Sequence, residues 1–107
     1  MGKEPSRKPT VSPEEAYGLV LRAARKKAGI SQEILAAEGG YSRNYISELE
    51  RGWKSPSLRT LVNLATVLKT KPSLMLKHVE KLIGGLSKDA SVEPPAGTVA
   101  KQIPRRK

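Results

Sequence analysis

Residues 13–83 repeat one local pattern five times: a start led by Ser or Pro, followed by apolar residues at helical spacing. The clearest start is Ser12-Pro13-Glu14-Glu15, because Ser caps a helix, Pro suits its first position and a Glu three residues after the cap completes a capping box. The other starts are at Ser31, Ser42, Ser55-Pro56-Ser57 and Lys71-Pro72-Ser73. No alternating pattern of useful length predicts a strand. The sequence therefore predicts an all-α fold of five short helices.

The apolar positions of these segments recur at the spacing of one helical face. We expect them to build the core of a single domain over residues 13–83. Tyr17 and Tyr41 are expected in the same core, since the chain has no Phe and must rely mainly on aliphatic side chains. The other predicted core positions are Val20, Leu21, Ala24, Ile34, Leu35, Ala36, Ile46, Leu49, Leu58, Leu61, Val62, Ala65, Leu68, Met75 and Leu76.

The two ends of the chain differ in composition from this segment. Residues 1–12 form a basic arm with almost nothing to bury, and residues 84–107 combine repeated Gly and Pro with a basic end. Such composition is typical of disordered arms. The whole chain has 20 basic and 10 acidic residues, a net charge of +10, and half of that charge lies on the two ends. This surplus favours a polyanionic partner, because basic side chains neutralise phosphates and release counterions.

Several kinds of site are excluded by residues that the chain lacks. Without cysteine there is no disulfide, thiolate nucleophile or cysteine-based zinc site, and the one histidine, His78, cannot form a histidine cluster. The only aspartate is Asp89, in the tail, so no Ser-His-Asp set is expected. No apolar run approaches the ~18 residues that a membrane-spanning helix needs. We expect a protein without catalytic residues, metal, cofactor or membrane partner.

The second and third predicted helices are joined by the short turn Glu38-Gly39-Gly40-Tyr41. A helix, a Gly-containing turn of a few residues and another helix is the layout of a helix-turn-helix unit, here over residues 31–51. In that unit the N-terminal end of the second helix enters the major groove of DNA. Arg43 and Asn44 lie at that end. They suit guanine O6/N7 and adenine N6/N7, because each side chain offers two groups at the matching spacing.

A series of short motifs runs through residues 17–76. The motifs are Tyr17-Gly18, Leu21-Arg22, Gly29-Ile30-Ser31-Gln32-Glu33, Leu35-Ala36, the run from Gly40 to Gly52, Ser55-Pro56-Ser57-Leu58 and Leu64-Ala65. With these motifs at these spacings, the chain resembles the phage-repressor and Cro-like helix-turn-helix family, also called XRE-type. The resemblance implies a five-helix lambda-repressor-like DNA-binding domain, and it covers more than half of the chain.

The resemblance also implies roles for matching positions. Gln32 matches a glutamine that holds a phosphate and buttresses the recognition helix, and Arg25 and Glu50 match a buried structural ion pair. The expected base-reading residues are Arg43, Asn44, Ser47 and Glu48. The residues expected to contact phosphate or backbone, by resemblance or by charge, are Ser31, Gln32, Ser42, Tyr45, Arg51, Lys54 and Arg59.

Two residues keep alternative interpretations. Glu48 either accepts a hydrogen bond from cytosine N4, or pairs with Arg51 on the next turn and touches no base. Trp53 either lies on the sugar-phosphate backbone or at a subunit contact, or it covers the core of its own domain. The chain also departs from the family pattern at Gly39-Gly40, where two glycines are expected to make the turn more flexible than one would.

The fifth predicted helix continues its apolar row beyond the positions that match the family. The row consists of Val79, Leu82, Ile83 and Leu86. A small helical domain buries only ~60% of the surface of its unfolded chain, so this row would gain by docking against a second copy. The alternative is that the row packs back onto the first helix. The sequence favours a symmetric homodimer, because helix-turn-helix proteins read paired half-sites.

These features predict a sequence-specific transcriptional regulator of the prokaryotic cytoplasm or nucleoid, most simply a homodimeric autorepressor. The expected partner is double-stranded DNA, an operator with two-fold symmetry and half-sites ~34 Å apart, with the third helix in the major groove. One alternative is an antitoxin whose C-terminal tail folds on a toxin, which would make that tail a protein-binding segment. The other is an adaptor that binds DNA non-specifically or binds protein instead.

Overall fold

The computed structural model describes residues 11–84, which form five α-helices and no strand. The helices are α1 (Pro13–Lys27), α2 (Gln32–Gly39), α3 (Arg43–Glu50), α4 (Leu58–Val67) and α5 (Pro72–Leu82). The predicted all-α fold is confirmed for this part of the chain. The two arms, beyond the few residues that flank α1 and α5, lie outside the described residues. None of the five helices is long and apolar enough to cross a membrane.

Four of the five helices begin at a serine that caps them through its side chain. Ser12 accepts from the Glu15 amide at 3.0 Å, and Glu15 Oε1 accepts from the Ser12 amide at 3.1 Å, which completes the predicted capping box. In α2, α3 and α4 the Oγ of the capping serine likewise accepts, at 3.0 Å, from the amide three residues later. These caps are Ser31, Ser42 and Ser57. α5 has no side-chain cap and begins with proline at its first position.

The helices enclose one core: α1 packs against α3 and α5, α2 packs against α3 and α4, and α4 packs against α5. The core consists of Ala16, Tyr17, Val20, Leu21, Leu35, Ala36, Ile46, Leu49, Leu64, Ala65, Leu68, Met75 and Val79. Four of the predicted core residues are exposed instead: Ile34, Leu58, Val62 and Leu76. A helix of 8–11 residues turns only one face to such a small core, and apolar residues beside that face remain in solvent.

α1 approaches the end of α3 closely at Gly18. A Cβ built on this residue would lie 2.5 Å from the carbonyl oxygens of both Leu49 and Glu50. Only a glycine allows α1 to rest on the backbone at the end of α3. Since backbone atoms cannot be displaced without moving the helix, this contact fixes the position of α3 relative to the core.

The turn between α2 and α3 is shorter than the sequence indicates. Gly39 is the last residue of α2, and the Tyr41 ring lies where a Gly39 Cβ would point, 2.9 Å away. Gly40 alone takes the left-handed conformation, with φ of 83°, and ends the helix. Gly39 is therefore helical and packed against Tyr41, and the greater flexibility expected of a two-glycine turn remains a prediction.

Candidate nucleic-acid interface

The helix-turn-helix unit is fastened at its turn by hydrogen bonds from α4. The Tyr41 amide donates to the Ala36 carbonyl at 2.8 Å, which brings the chain back over the end of α2. The side chain of Asn63 donates to the Gly39 carbonyl at 3.0 Å and to the Tyr41 hydroxyl at 3.1 Å. Tyr41 in turn donates to the Thr60 hydroxyl at 3.4 Å. Sequence reasoning missed Asn63 and Thr60, whose only signal is polarity within an apolar helix.

The end of α3 is held by the ion pair expected between Arg25 and Glu50. Arg25 Nε lies 2.6 Å from Glu50 Oε2, and Arg25 Nη2 lies 3.0 Å from Glu50 Oε1. The two side chains are only 10% and 2% exposed. The hydrogen bond with Glu50 raises the pKa of Arg25 above its usual value, although burial opposes this effect. Arg25 therefore stays protonated, and the pair ties α1 to the C-terminal end of α3.

Two further hydrogen bonds complete this cluster. Gln32 Nε2 donates to Glu50 Oε1 at 2.9 Å, and Arg25 Nη1 donates to the Ile30 carbonyl at 3.0 Å. The start of α2, the end of α3 and the loop after α1 thus meet at the Arg25–Glu50 pair. The expected buttress between Gln32 and the recognition helix is present, while a phosphate contact by Gln32 remains a prediction.

Most of the residues expected to contact DNA lie on the exposed side of this unit. Arg43 and Asn44 are exposed in the first turn of α3, and Ser31 and Ser42 are exposed at the two caps. Tyr45 is half-buried, with its ring centroid 5.3 Å from that of Tyr41. The N-terminal turn of α3 therefore presents side chains to solvent while Ile46 and Leu49 anchor its other side.

Ser47 is the exception among the predicted base-reading residues. It is only 7% exposed and shares the buried side of α3 with Glu50, three residues later. The prediction that Ser47 reads a base is wrong, because almost none of its surface is accessible. The spacing of the two residues indicates this, since positions three apart in a helix share a face and Glu50 is expected in a buried ion pair.

The residues after α3 add positive charge and an aromatic ring to the same region. Trp53 is 66% exposed, so it does not cover the core, and the guanidinium of Arg51 lies 4.7 Å from the centroid of its ring. Glu48 Oε1 lies 4.0 Å from Lys54 Nζ, so the partner of Glu48 is Lys54 rather than Arg51. Arg59, at the start of α4, is exposed.

One ion pair in this region was not expected from the sequence. Arg43 Nε lies 3.4 Å from Glu33 Oε2, and the side chains are 55% and 68% exposed. The pair joins the first turn of α2 to the first turn of α3. Proximity of the two helix starts creates this contact, and no sequence spacing indicates it.

The predicted dimer residues of α5 do not share one surface. Val79 is 7% exposed and belongs to the core of its own domain, so its assignment to a subunit interface is wrong. Leu82 lines a groove of about 530 Å³ between α1 and α5, together with Leu19 and Leu74. Ile83 lies on another side of α5 and is half-buried. The fourth predicted residue, Leu86, lies outside the described residues.

Comparisons with known sequences agree with this architecture. The family model described as helix-turn-helix matches residues 21–75. The chain is 37% identical over 71 residues to an HTH-type transcriptional regulator of Sinorhizobium fredii, y4dL, covering 66% of this chain and 36% of that protein. It is also 37% identical over 62 residues to the transcriptional regulator ClgR of Mycobacterium tuberculosis, covering 58% of this chain and 55% of that protein.

Three solved structures share the fold. The clp gene regulator ClgR from Corynebacterium glutamicum has a TM-score of 0.69 and 29% identity, covering 73% of this chain and 100% of that chain. The restriction-modification controller protein C.AhdI from Aeromonas hydrophila has a TM-score of 0.56 and 38% identity, covering 57% and 92%. The DNA-binding domain of the P22 c2 repressor has a TM-score of 0.56 and 36% identity, covering 57% and 80%. The chain spans between 36% and 57% of the length of the curated relatives it matches.

Proposed function

The chain belongs to the XRE-type helix-turn-helix family, and from that premise we propose that it is a sequence-specific DNA-binding transcriptional regulator. The observation that carries the proposal is that α3 is held firmly on one side and exposes polar side chains at its N-terminal end. Its buried side is fixed by Gly18 and by the Arg25–Glu50 pair, while Arg43 and Asn44 project from its free N-terminal turn. A rigid helix with an exposed, polar leading end is what reading base edges requires.

In the proposed complex, α3 enters the major groove by this end. Arg43 donates to O6 and N7 of a guanine, and Asn44 pairs with N6 and N7 of an adenine. The first turn of α2 approaches a phosphate, where free backbone amides and the helix dipole favour an anion. Lys54 and Arg59 follow the backbone on the other side of α3 and add affinity that does not depend on sequence.

We propose that the regulator is a homodimer that contacts its partner through the side of α5 bearing Leu76 and Ile83. Leu76 is exposed, and Lys77 and Glu80 lie on the same side. A two-fold interface brings the same patch of both protomers together. A patch with both signs of charge suits such an interface, because Lys77 of one protomer can face Glu80 of the other.

The groove at Leu82 suits a two-fold contact less well. The ionic residues that line it within residues 11–84 are Lys27 and Lys81, which would meet like charges across a two-fold axis. We expect Leu76→Asp to shift the protein from dimer to monomer in sedimentation velocity, while Leu82→Asp leaves the dimer intact. Dissociation by Leu82→Asp alone would place the interface at the groove, and a monomeric wild-type protein would refute the dimer.

The repressor role is proposed from likeness to the DNA-binding domain of the P22 c2 repressor and from the way such a protein acts. A bound dimer occupies its site and thereby excludes other proteins. With no effector site identified in the described domain, protein concentration is the simplest input, and this favours autoregulation. The proposal assigns the chain no catalytic step, and it places the protein in the prokaryotic cytoplasm or nucleoid.

The experiment that tests the proposed function is selection of bound DNA from a random pool, repeated at two salt concentrations. We expect one enriched motif with two-fold symmetry and half-sites about one helical turn apart, ~34 Å. Affinity should fall steeply with salt, because phosphate contacts release counterions. Binding without any enriched motif would contradict sequence-specific regulation and favour a non-specific DNA-binding role.

A further inference from the structure

The first turn of α2 carries a negative charge at a place where the proposed DNA complex needs none. Glu33 is 68% exposed beside the helix start that approaches a phosphate in that complex. A carboxylate there repels the DNA backbone and lowers affinity for any sequence. An acidic residue in a first turn also favours its own helix. Stabilising α2 in this way does not require the side chain to contact another helix. The Glu33 side chain nevertheless contacts Arg43 in α3.

We propose that Glu33 is a specificity-determining residue that positions Arg43 for base reading. The inference rests on the proposed function, since it concerns how Arg43 reads a base. Glu33 Oε2 lies 3.4 Å from Arg43 Nε, and this is the ion pair that Arg43 makes among residues 11–84. Glu33 acts through Arg43 and is not itself assigned a base contact.

The atom of Arg43 that lies nearest to Glu33 is Nε, and this indicates which edge of the guanidinium is available to a base. A planar guanidinium can present two donors to guanine either through its terminal nitrogens or through Nε and one terminal nitrogen. Glu33 Oε2 lies beside Nε at 3.4 Å, an electrostatic contact rather than a hydrogen bond, so its charge favours positions of Arg43 in which Nε faces α2 and the terminal nitrogens are left for the base. In the proposed complex, Arg43 therefore meets a base through its terminal nitrogens, with Glu33 beside its Nε. This geometry admits a guanine with O6 and N7 in line and disfavours other positions of the side chain.

The pair acts differently on correct and incorrect DNA. In water an exposed ion pair of this kind is weak. In the interface, water is excluded and the pair strengthens, so Arg43 keeps its orientation and the base contact costs less side-chain entropy. On DNA without the matching guanine, Arg43 can reach only phosphates, and it must leave Glu33 to do so. Glu33 thus lowers binding to incorrect sequences more than binding to the operator.

The test compares Glu33→Gln with Glu38→Gln, which removes the same charge from the other end of the same helix. Glu38 is exposed and makes no ion pair among the described residues. The probes are the duplex selected by wild-type protein, the same duplex with the Arg43-dependent base pair changed, and an unrelated duplex. The Arg43-dependent base pair is the position at which Arg43→Ala loses its preference in the same selection.

We expect Glu33→Gln to bind unrelated DNA several-fold more tightly and to lose at least about fivefold of the wild-type preference at that base pair. Arg43 discrimination of ~1–3 kcal/mol corresponds to roughly 5- to 150-fold, so this loss is measurable. Glu38→Gln should keep the wild-type preference. In an Arg43→Ala background, Glu33→Gln should change no base preference, because the residue it positions is gone.

Two results would overturn the inference while leaving the proposed function intact. One is a wild-type preference kept by Glu33→Gln within a factor of two. The other is an equal loss in Glu38→Gln, which would mean that charge alone is responsible. A wild-type protein with no preference for any sequence would instead overturn the proposed function, and the inference with it.

Discussion

Replacing Arg25 by Ala should destabilise the domain more than any other single loss of charge in the described residues. The change leaves the Glu50 carboxylate, whose side chain is 2% exposed, without its cation and without two of its hydrogen bonds. Of the hydrogen bonds that Glu50 accepts from side chains within residues 11–84, the one from Gln32 at 2.9 Å remains. Breaking a buried pair by removing one partner costs ~3–5 kcal/mol. Small domains are stable by only ~5–15 kcal/mol, so this cost is a large fraction of the total.

The assay is urea unfolding followed by far-UV circular dichroism, with Arg22→Ala as the matched control. Arg22 is an exposed arginine in the same helix, and its loss should change the free energy of unfolding by less than ~0.5 kcal/mol. The double variant Arg25→Met with Glu50→Leu should recover most of the lost stability, because no unpaired charge is left in the core.

A loss below ~1 kcal/mol in Arg25→Ala would refute this reasoning, since it would mean that Glu50 reaches water or another cation. Failure of the double variant to recover stability would also count against it. In that case the cost would come from lost packing around the arginine stem rather than from the stranded carboxylate.

The remaining predictions concern packing, ionisation and affinity. Gly18→Ala should lower the free energy of unfolding by ~1–3 kcal/mol, because its Cβ would meet two backbone carbonyls at 2.5 Å; equilibrium unfolding measures this. Burial raises the pKa of Tyr17 above its usual value, and its hydroxyl has no hydrogen-bond partner among residues 11–84. The free energy of unfolding of the wild-type protein should therefore fall as pH rises above ~10, because only the unfolded state ionises Tyr17 there. Tyr17→Phe should be more stable than the wild type at neutral pH, since it buries no unpaired hydroxyl, and should lack this part of the loss at alkaline pH. Lys54→Ala should weaken binding to all duplexes alike and reduce the slope of log affinity against log salt by about one, as seen by titration at several salt concentrations.

The sequence predicts the fold well because its helix starts are encoded locally. A serine and the amide three residues later form a cap without help from the rest of the chain, and the structure has that bond at Ser12, Ser31 and Ser42. The five helices and the position of the helix-turn-helix unit follow from such signals together with helical apolar spacing.

Parts of the site could not be predicted because they depend on how helices meet. The Glu33–Arg43 pair exists since two helix starts lie side by side, and neither residue indicates it alone. The apolar row of the fifth helix predicts Val79 at an interface, whereas the structure packs it in the core of its own domain, because such a row does not show which of its members face that core. Ser47 could have been excluded from base reading by its spacing from Glu50.

The central claim is that the leading end of α3 reads bases in the major groove, and methylation interference tests it most directly. Methylating guanine N7 blocks the acceptor that Arg43 would use. We expect methylation at one guanine in each half-site to block wild-type binding and to have no further effect on Arg43→Ala. Wild-type binding that tolerates methylation at every guanine of the selected duplex, or an Arg43→Ala variant blocked at the same guanines, would contradict the account.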